Sequence, residues 1–549
     1  MKQHRYKILI GILIVFLLAG CGRVSPEPTS EEGNDSAMVA TPALSVVEPT
    51  ASQTQTDAPV TSADAGDPAS LAAPLPDTGQ VNCYDLQGGT ITCPAEGDVY
   101  FGQDANFAGQ QPAYRDNGDG TVTDLVTGLM WQGSPERDGK NIINAADKLS
   151  YSEALAAADE ATLAGYDDWR LPTITELYSL IDFSGLDVSG YNGTAADGLT
   201  PFINTDYFAF GYGDTNAGER LIDAQFASST LYGSTTMNGN QTMFGVNFAD
   251  GRIKGYPIQN KTYYVLLVRG NTAYDSHAFI DNGDGTISDG ATGLMWQQAD
   301  SGRGLDWAEA LTYCDTLADG GYADWRLPDA RELQHLVDYS RSPDATQSAA
   351  IDALFSASQI QNEAGQADYA AYWTGTTHIN MSSTPGANTV YVNFGESLGY
   401  MNGHWLDVHG AGAQRSDPKA GDPAAYPTGH GPQGDAIRID NYVRCVRGGV
   451  VTTESGNQVT AAGTALMGEP AGSNRTTGGP LAAAAAALGI SEDALVAALG
   501  DPTAGPPDFA AAATDLGITE AELMAALAQS EGGIPPGGGP PPQQTPTSP

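Results

Sequence analysis

The chain has 549 residues, of which 66 are acidic and 24 basic, so its formal net charge is −42. This excess of negative charge argues against nucleic acid and anionic lipid headgroups as partners, because both would be repelled. It fits a solvated surface protein on which cations could condense.

The first residues have the pattern of an export signal. Three basic residues precede the apolar segment 8–19, which is too short to span a bilayer as a stable helix. The segment ends in Leu18-Ala19-Gly20-Cys21, which resembles a bacterial lipobox, so we expect Cys21 to carry the lipid. The alternative is an ordinary secretory signal with an incidental cysteine. Loss of residues 1–21 removes three basic residues and no acidic one, which changes the net charge to −45.

We therefore expect a protein of the cell envelope, on the exported face, whose only membrane contact is its lipid anchor.

Residues 22–79 are rich in Pro, Ser, Thr, Ala and Asp and are predicted to be a disordered linker. A cysteine hairpin is predicted over 80–112. There Cys83 and Cys93 flank a Gly-Gly turn, and in an exported protein a disulfide between them is expected.

Two stretches of the chain repeat the same landmarks in the same order. This pattern predicts a duplicated domain of roughly 160 residues. We place the first repeat at 113–271 and the second repeat at 277–449. The shared landmarks are Asp-Asn-Gly-Asp-Gly from 116 and 281, Gly-Leu-Met-Trp-Gln from 128 and 293, Asp-Trp-Arg-Leu-Pro from 168 and 324, and Val-Arg-Gly from 268 and 446.

Each repeat is predicted to be α+β, with two helices on a small, mostly antiparallel sheet and long loops. Ser150 and Asp306 are the expected N-caps of the first helices, and the Asp-Trp-Arg-Leu-Pro block is expected to position the second helices. Apolar periodicity predicts first helices over 149–163 and 305–317 and second helices over 174–182 and 330–338. The predicted closing strand pairs are 244–248 with 263–269, and 390–394 with 442–447.

The second repeat has a cysteine pair that the first repeat lacks. Aligning the repeats places Ala158 opposite Cys314 and Leu267 opposite Cys445. A pair that is absent as a unit is expected for a disulfide and is hard to explain for two independent thiols. Closing this loop would stabilise the fold by about 5 kcal/mol in the chain-entropy model, and no cysteine would remain for nucleophilic or redox chemistry.

The remainder of the chain is predicted to be simple. A linker at 450–479 precedes two helical hairpins within 480–529, and 530–549 is a disordered tail. The hairpins have few large apolar residues, so they would pack on each other or on a partner. They could be a small interaction module or a solubilising appendage.

The repeated motifs resemble the Lcl C-terminal domain family, named for bacterial collagen-like adhesins, over 113–270 and 278–449. Residues 83–107 are similar to the cysteine hairpin that often precedes such domains. The Arg-Leu-Pro block and the closing Arg-Cys-Val-Arg also resemble sulfatase-modifying-factor domains, whose reactive cysteines have no spare counterpart here. Both resemblances imply a C-type-lectin-like fold, and thus two tandem domains of that kind.

The resemblance also bears on the ligand. The adhesin members are implied to bind sulfated glycosaminoglycans, which a charge of −45 disfavours unless a local basic patch exists. The Glu-Pro-Asn and Gln-Pro-Asp motifs of calcium-dependent sugar-binding lectins are absent from the sequence. Sugar binding bridged by calcium in that style is therefore unsupported.

Calcium remains a candidate cofactor at the acidic turns, because it takes six to eight oxygen ligands. The spacing does not match the EF-hand loop, since Gly118 and Gly283 occupy its third position. Asn-Gly and Asp-Gly are also strong hairpin-turn signals, so a structural turn is the alternative. The candidate metal ligands are Asp116, Asp119, Asp124, Asp281, Asp284 and Asp289.

After residue 394 the second repeat continues through a glycine- and histidine-rich insertion, 403–438, that has almost no counterpart in the first repeat. Long loops are uncommon unless they are functional or disordered, so ligand contact is expected here. The candidate ligand-binding residues are Trp405, Asp407, His409, Arg415, His430 and Asp435. Among them, the two aspartates Asp407 and Asp435 and both histidines could instead form a metal site of N/O type.

Three classes of function follow. The favoured class is a surface lipoprotein that binds an extracellular glycan or surface protein for adhesion or recognition. The second is a metal-dependent enzyme or metal-binding protein that uses the insertion. The third is a purely structural envelope protein. No residue pattern assigns a catalytic group.

Overall fold

The computed structural model describes residues 71–191 and 193–452, together with Leu516. The predicted signal, Cys21, most of the N-terminal linker, the helical hairpins (apart from Leu516) and the tail lie outside the described residues. No helix within the described ranges is long and apolar enough to cross a membrane. The elements are mostly antiparallel sheets with few helices, which confirms the α+β class.

The elements up to the end of the first repeat are given in chain order. The strands are β1 (Cys83–Tyr84), β2 (Thr90–Ile91), β3 (Phe107–Ala108), β4 (Tyr114–Asp116), β5 (Thr121–Asp124), β6 (Leu129–Gln132), β7 (Leu149–Ser150), β8 (Gln225–Thr236), β9 (Asn240–Asn247), β10 (Arg252–Pro257), β11 (Thr262–Tyr263) and β12 (Val268–Gly270). The helices are α1 (Tyr151–Asp159) and α2 (Ile174–Tyr178).

The second repeat follows the same order and adds further strands. Its strands are β13 (Phe279–Asp281), β14 (Thr286–Asp289), β15 (Leu294–Gln297), β16 (Gln359–Gln361), β17 (Ala367–Tyr369), β18 (Ala371–His378), β19 (Asn388–Asn393), β20 (Leu398–Met401), β21 (His404–Asp407), β22 (Gln414–Pro418) and β23 (Val446–Arg447), and β24 (Val451–Thr452) lies beyond it. Its helices are α3 (Trp307–Asp315), α4 (Ala330–His335) and α5 (Pro343–Thr346). Short 3-10 turns lie at Asp104–Asn106, Ala145–Asp147, Leu163–Gly165, Thr215–Ala217, Asp319–Gly321 and Pro423–Ala425.

The first helices have the predicted N-caps but are shorter than the predicted ranges at both ends. Ser150 accepts a hydrogen bond from Glu153 N and completes a capping box, and Asp306 accepts one from Glu309 N. Each helix is then followed by a 3-10 turn with a left-handed residue, Ala164 at φ 55° in one repeat and Gly320 at φ 62° in the other. The helices end before these turns, at the C-cap residues Glu160 (ψ −7°) and Thr316 (ψ 0°), because these ψ angles are far from the value of about −42° of a continuing α-helix.

Each repeat contains a four-stranded antiparallel sheet, and the two sheets correspond strand for strand. Their orders are β12-β6-β5-β4 and β13-β14-β15-β23. The predicted pairings of 244–248 with 263–269 and of 390–394 with 442–447 are both wrong, because β9 and β19 lie in a different sheet from β12 and β23. The segment between β11 and β12 is buried and passes between the sheets, where Tyr264 N donates to Gln225 O at 2.9 Å.

The largest sheet is built from both repeats. Its six strands have the order β18-β19-β22-β10-β9-β8, so that each repeat contributes three adjacent strands. β10 and β22 join the halves in antiparallel register, with Ile253 opposite Gln414. We call this contact the seam. β22 is therefore the counterpart of β10, and the expected single insertion at 403–438 is two additions, one on each side of that strand.

The hydrophobic core is also built from both repeats. A central cluster combines residues of both repeats, among them Phe226, Phe244, Val390 and Val392. Two outer clusters belong to one repeat each, around α1 and around α3. Because the central cluster is shared, each repeat completes the burial of apolar surface on the other.

The predicted disulfides are both confirmed. Cys83 is bonded to Cys93, and Cys314 is bonded to Cys445 across a sequence separation of 131. In the first repeat the aligned residues Ala158 and Leu267 are both buried in the outer cluster around α1. Apolar packing thus replaces the covalent link there.

Ordered structure begins earlier than composition predicts. Ala73 is fully buried in the central cluster, although its segment was expected to belong to the linker. The buried Arg331 guanidinium explains this order, because it donates to the carbonyl oxygens of Pro76, Asp77 and Ile181. The cysteine hairpin then packs on the second repeat, where Gly386 N donates to Gly88 O at 3.3 Å. The N-terminal segment and both repeats are therefore bound together.

Candidate functional site

Three of the predicted ligand-binding residues form a buried ionic cluster. His409 Nε2 lies 2.9 Å from Asp435 Oδ1, and the Arg415 guanidinium donates to the other oxygen of Asp435. The His409 side chain is 1% exposed. Burial, together with the nearby cations Arg415 and Lys254, holds the pKa of His409 well below its usual range, so the imidazole is neutral.

This cluster lies at the seam. Gly255 N of the first repeat donates to His409 O at 2.8 Å. Arg252 Nη2 donates to Ser416 Oγ at 2.9 Å, while its Nη1 pairs with Asp187 at 2.8 Å. His409, which suggested a ligand site, therefore contacts the first repeat through its backbone, and Arg415 lies on the seam strand β22.

Asp407 also links the repeats. Its carboxylate accepts hydrogen bonds from Tyr232 OH at 2.9 Å and from Gly410 N at 2.8 Å. Burial raises the pKa of Asp407 to about 7, against the lowering effect of these donors. His430 has a different position, since its exposed side chain lies on a loop whose backbone pairs with that of Asp435 at 2.8 Å.

The raised pKa values of this acidic region can be tested at Glu396, which lies close to Asp407. Burial, reinforced by the charges of Asp407, Asp368 and Asp344, raises the pKa of Glu396 to about 8 from 4.5. The folded chain thus retains a proton that the unfolded chain releases, and ionisation lowers stability as pH rises between these values. We expect Glu396→Gln to have a higher Tm than the wild type at pH 8, with a gain that shrinks towards pH 5. Parallel Tm curves would contradict this assignment, and Glu396→Asp, which keeps an ionisable group, should retain the wild-type trend.

The carboxylates of the acidic turns accept hydrogen bonds from groups of the same turn. Asp116 Oδ1 accepts from Gly118 N at 2.8 Å, and Asp119 Oδ1 accepts from Thr121 Oγ1 at 2.6 Å. Asp281 and Asp284 repeat these bonds at the same distances. Each of these four aspartates therefore shapes its own turn.

The last two candidate metal ligands differ between the repeats. Asp289 pairs with His277 Nδ1 at 2.8 Å, whereas Asp124 Oδ2 is buried without a hydrogen-bond partner. Within the described ranges, three ligand atoms that lie within 4.8 Å of one another occur only at Glu136, Asp138 and Asp147. The six aspartates predicted as metal ligands are not brought together in this way.

A cavity of about 480 Å³ opens on the second repeat, and we call it the groove. Its volume is typical of a small-molecule site. Two additions that are specific to this repeat form much of its wall: the β20–β21 hairpin and the segment after β22. The lining residues are Ile360, Gln361, Glu363, Ala370, Ala371, Trp405, Pro423, Tyr426, Pro427, Ile437, Arg438, Asp440, Asn441 and Tyr442.

Trp405 is the aromatic residue that distinguishes the groove. The chain has seven tryptophans, and the other six are at most 4% exposed. Trp405 is only partly buried, and the ring of Tyr400 packs against it at a centroid distance of 5.3 Å. An accessible indole held in place by a second ring is suited to stacking on a ligand.

The segment between Arg438 and Asn441 has two unusual features. Ile439 has φ 61°, which is a strained conformation for a β-branched residue. Asn441 is 1% exposed, and its Oδ1 has no hydrogen-bond partner, although Asn441 lines the groove. Backbone strain and an unpaired buried acceptor both cost stability, and such costs are concentrated at ligand sites.

The one cation of the groove lining is already paired. Arg438 Nε and Nη2 donate to the two carboxylate oxygens of Glu363 at 2.8 and 2.9 Å. Burial opposes the charge on each group, but the mutual contact outweighs it, raising the pKa of Arg438 and lowering that of Glu363. Both groups therefore stay charged, and each neutralises the other.

A family model matches residues 120–269 and 285–408 of the chain. Both repeats match the Lcl C-terminal domain. The two segments are consistent with tandem copies of one domain. No curated protein and no solved structure gives a significant match.

The groove crosses the end of the second Lcl C-terminal match. Trp405 and Glu363 lie within the matched residues, whereas Tyr426, Arg438 and Asn441 lie beyond residue 408. Part of the groove is thus supplied by sequence that the family model does not describe. This agrees with its absence from the first repeat, where no stretch of comparable length precedes the closing strand.

Sequence reasoning identified one residue of the groove and missed the others. Trp405 was predicted from its position in the insertion 403–438. Ile439 is a β-branched residue, which rarely adopts a positive φ, and no glycine follows it before residue 442, so no sequence signal reveals its left-handed conformation. Glu363 and Gln361 lie on a loop and a short strand far from Trp405 in the chain, and only the fold brings them to it.

Proposed function

We propose that this chain is a lipid-anchored protein of the cell envelope that binds an extracellular glycan in the groove of its second repeat, for adhesion or recognition. The observation that carries the proposal is a partly exposed Trp405 that lines the same cavity as Asn441, whose Oδ1 is buried and unpaired. The lipobox-like residues before Cys21 support export and anchoring. The sequence resemblance supports a C-type-lectin-like fold for both domains.

The chemistry of the groove matches that of a saccharide. A sugar ring has an apolar face of C–H groups that can stack on an aromatic ring, and Trp405, Tyr426 and Tyr442 supply such rings. Its hydroxyls need fixed donors and acceptors, and Gln361, Asn441 and Asp440 supply both. A hydroxyl that donates to Asn441 Oδ1 would satisfy a group that is otherwise buried and unpaired.

The residues of the metal alternative have other partners. His409 and Asp435 bond to each other, Asp407 accepts from Tyr232, and the side chain of His430 is exposed away from this cluster. These contacts support a role in joining the repeats. The groove therefore offers the better account of ligand binding.

A glycan array probed with the full chain tests the proposal. We expect binding to at least one class of oligosaccharide, with Trp405→Ala at least about tenfold weaker, which corresponds to about 1.4 kcal/mol. His404→Ala is the matched control, since His404 lies on the same hairpin, is exposed and does not line the groove. Equal binding by the wild type and Trp405→Ala, or no binding to any glycan, would contradict the proposal.

A further inference from the structure

We infer that the groove selects uncharged saccharides and rejects sulfated ones. This inference rests on the proposed function, because it specifies the ligand of the same site. It is the opposite of what the resemblance to adhesins implies, and it comes from the charges and hydrogen-bonding groups of the groove itself.

The charge of the groove is the first argument. Glu363, Arg438 and Asp440 are the charged residues that line it, so its formal charge is negative. The positive charge of Arg438 is already neutralised by its two-bond contact with Glu363, so a sulfate that approaches Arg438 also meets the Glu363 carboxylate. A sulfate would then enter beside two carboxylates with no free cation to bind it. The charge of −42 on the whole chain adds long-range repulsion of polyanions.

The hydrogen-bonding character of the groove is the second argument. The unpaired Asn441 Oδ1 and the Asp440 carboxylate are acceptors, so they require donors from the ligand. A free sugar hydroxyl is a donor, whereas a sulfate ester presents only acceptor oxygens. Each sulfate placed here would leave an acceptor of the groove without a donor. It would also place the acceptor oxygens of the sulfate next to that group.

The orientation of the Asn441 amide is fixed by its neighbour. Its Nδ2 lies 3.5 Å from Asp417 Oδ2, which also accepts from Arg438 N at 2.9 Å. Rotating the amide would bring Oδ1 against that carboxylate, where two acceptors would face each other. The acceptor oxygen of Asn441 is therefore the atom of the amide that has no partner.

The test compares two kinds of probe on the full chain at physiological salt. The uncharged probes are hexasaccharides of glucose, mannose, galactose and N-acetylglucosamine, and the sulfated probe is a heparin-derived hexasaccharide. We expect an uncharged probe to bind at least about tenfold more tightly than the sulfated one. Glu363→Gln removes the carboxylate partner of Arg438, so it should strengthen binding of the sulfated probe relative to the uncharged probe by about tenfold or more.

Asp206→Asn is the charge control, since it removes one exposed carboxylate of the first repeat and should leave both affinities unchanged. Tighter binding of the sulfated probe by the wild type, abolished by Trp405→Ala, would overturn this inference and leave the proposed function intact. An equal gain for Asp206→Asn and Glu363→Gln would overturn the role of the ion pair. No binding of any probe would overturn the proposed function, and this inference with it.

Discussion

Replacing Cys314 by alanine and Cys445 by leucine is expected to lower the free energy of unfolding by up to about 5 kcal/mol. The disulfide closes a loop with a sequence separation of 131, and the chain-entropy model gives that value for such a loop. The two substitutions copy the residues that the first repeat has at the aligned positions, Ala158 and Leu267, which are buried there. Apolar packing is therefore largely kept, and the loss reports the covalent constraint.

The second disulfide of the chain provides the comparison. Cys83 and Cys93 are separated by 10 residues, so their replacement by alanine should cost only about 3 kcal/mol in the same model. Urea unfolding of both variants and the wild type measures the two losses. A loss for the long loop that is equal to or smaller than that for the hairpin would contradict the account.

Glu332→Gln is the second change with a large expected effect. Glu332 accepts two hydrogen bonds from Arg326, one of them at 2.7 Å, and both side chains are 4% exposed. Burial alone would lower the pKa of Arg326, and the charge of Glu332 instead raises it, so the guanidinium remains charged. Removing the negative charge leaves the buried Arg326 guanidinium with a neutral amide as its partner. This lowers the free energy of unfolding by about 3 kcal/mol.

The first repeat contains the same pair in a wetter environment. Arg170 contacts Glu176 in the equivalent position, but the Arg170 side chain is 30% exposed. Water can compensate for a lost partner there, so Glu176→Gln should cost less than half as much as Glu332→Gln. Denaturant unfolding of the two variants side by side gives the comparison. Equal losses would mean that burial does not determine the strength of these pairs.

Much of the fold could be predicted because the chain contains two similar repeats that can be compared with each other. The repeated landmarks located the turns, the helix caps at Ser150 and Asp306, and the cysteine pair. These features depend on a few residues that are close in sequence. Local rules of capping and turn formation are sufficient for them.

The association of the repeats could not be predicted in the same way. The seam forms because the edge strand β10 of one repeat pairs with the edge strand β22 of the other. The short sequences around Ile253 and Gln414 do not indicate that these two strands pair. His409, Arg415 and Asp435 looked like a ligand site for the same reason. Polar residues in a glycine-rich stretch predict function when the loop is exposed, whereas here Arg415 lies on β22 and His409 contacts Gly255 of the first repeat.

The position of the groove follows from the difference between the repeats. Shared residues such as Trp131 and Trp296 are buried and form the scaffold. The additions on either side of β22 carry Trp405 and Tyr426, and the first repeat has no equivalent of them. Joining the two repeats through one sheet supplies a rigid base on which these additions are held.

Tryptophan fluorescence tests the central claim, ligand binding in the groove, most directly. Trp405 is the partly exposed tryptophan, while the other six are at most 4% exposed, so it should account for most of the quenching by acrylamide. We predict that an oligosaccharide bound in the groove protects this fluorescence, and that Trp405→Phe abolishes both the quenching and the protection. Binding of an oligosaccharide with no protection of Trp405 would contradict the claim.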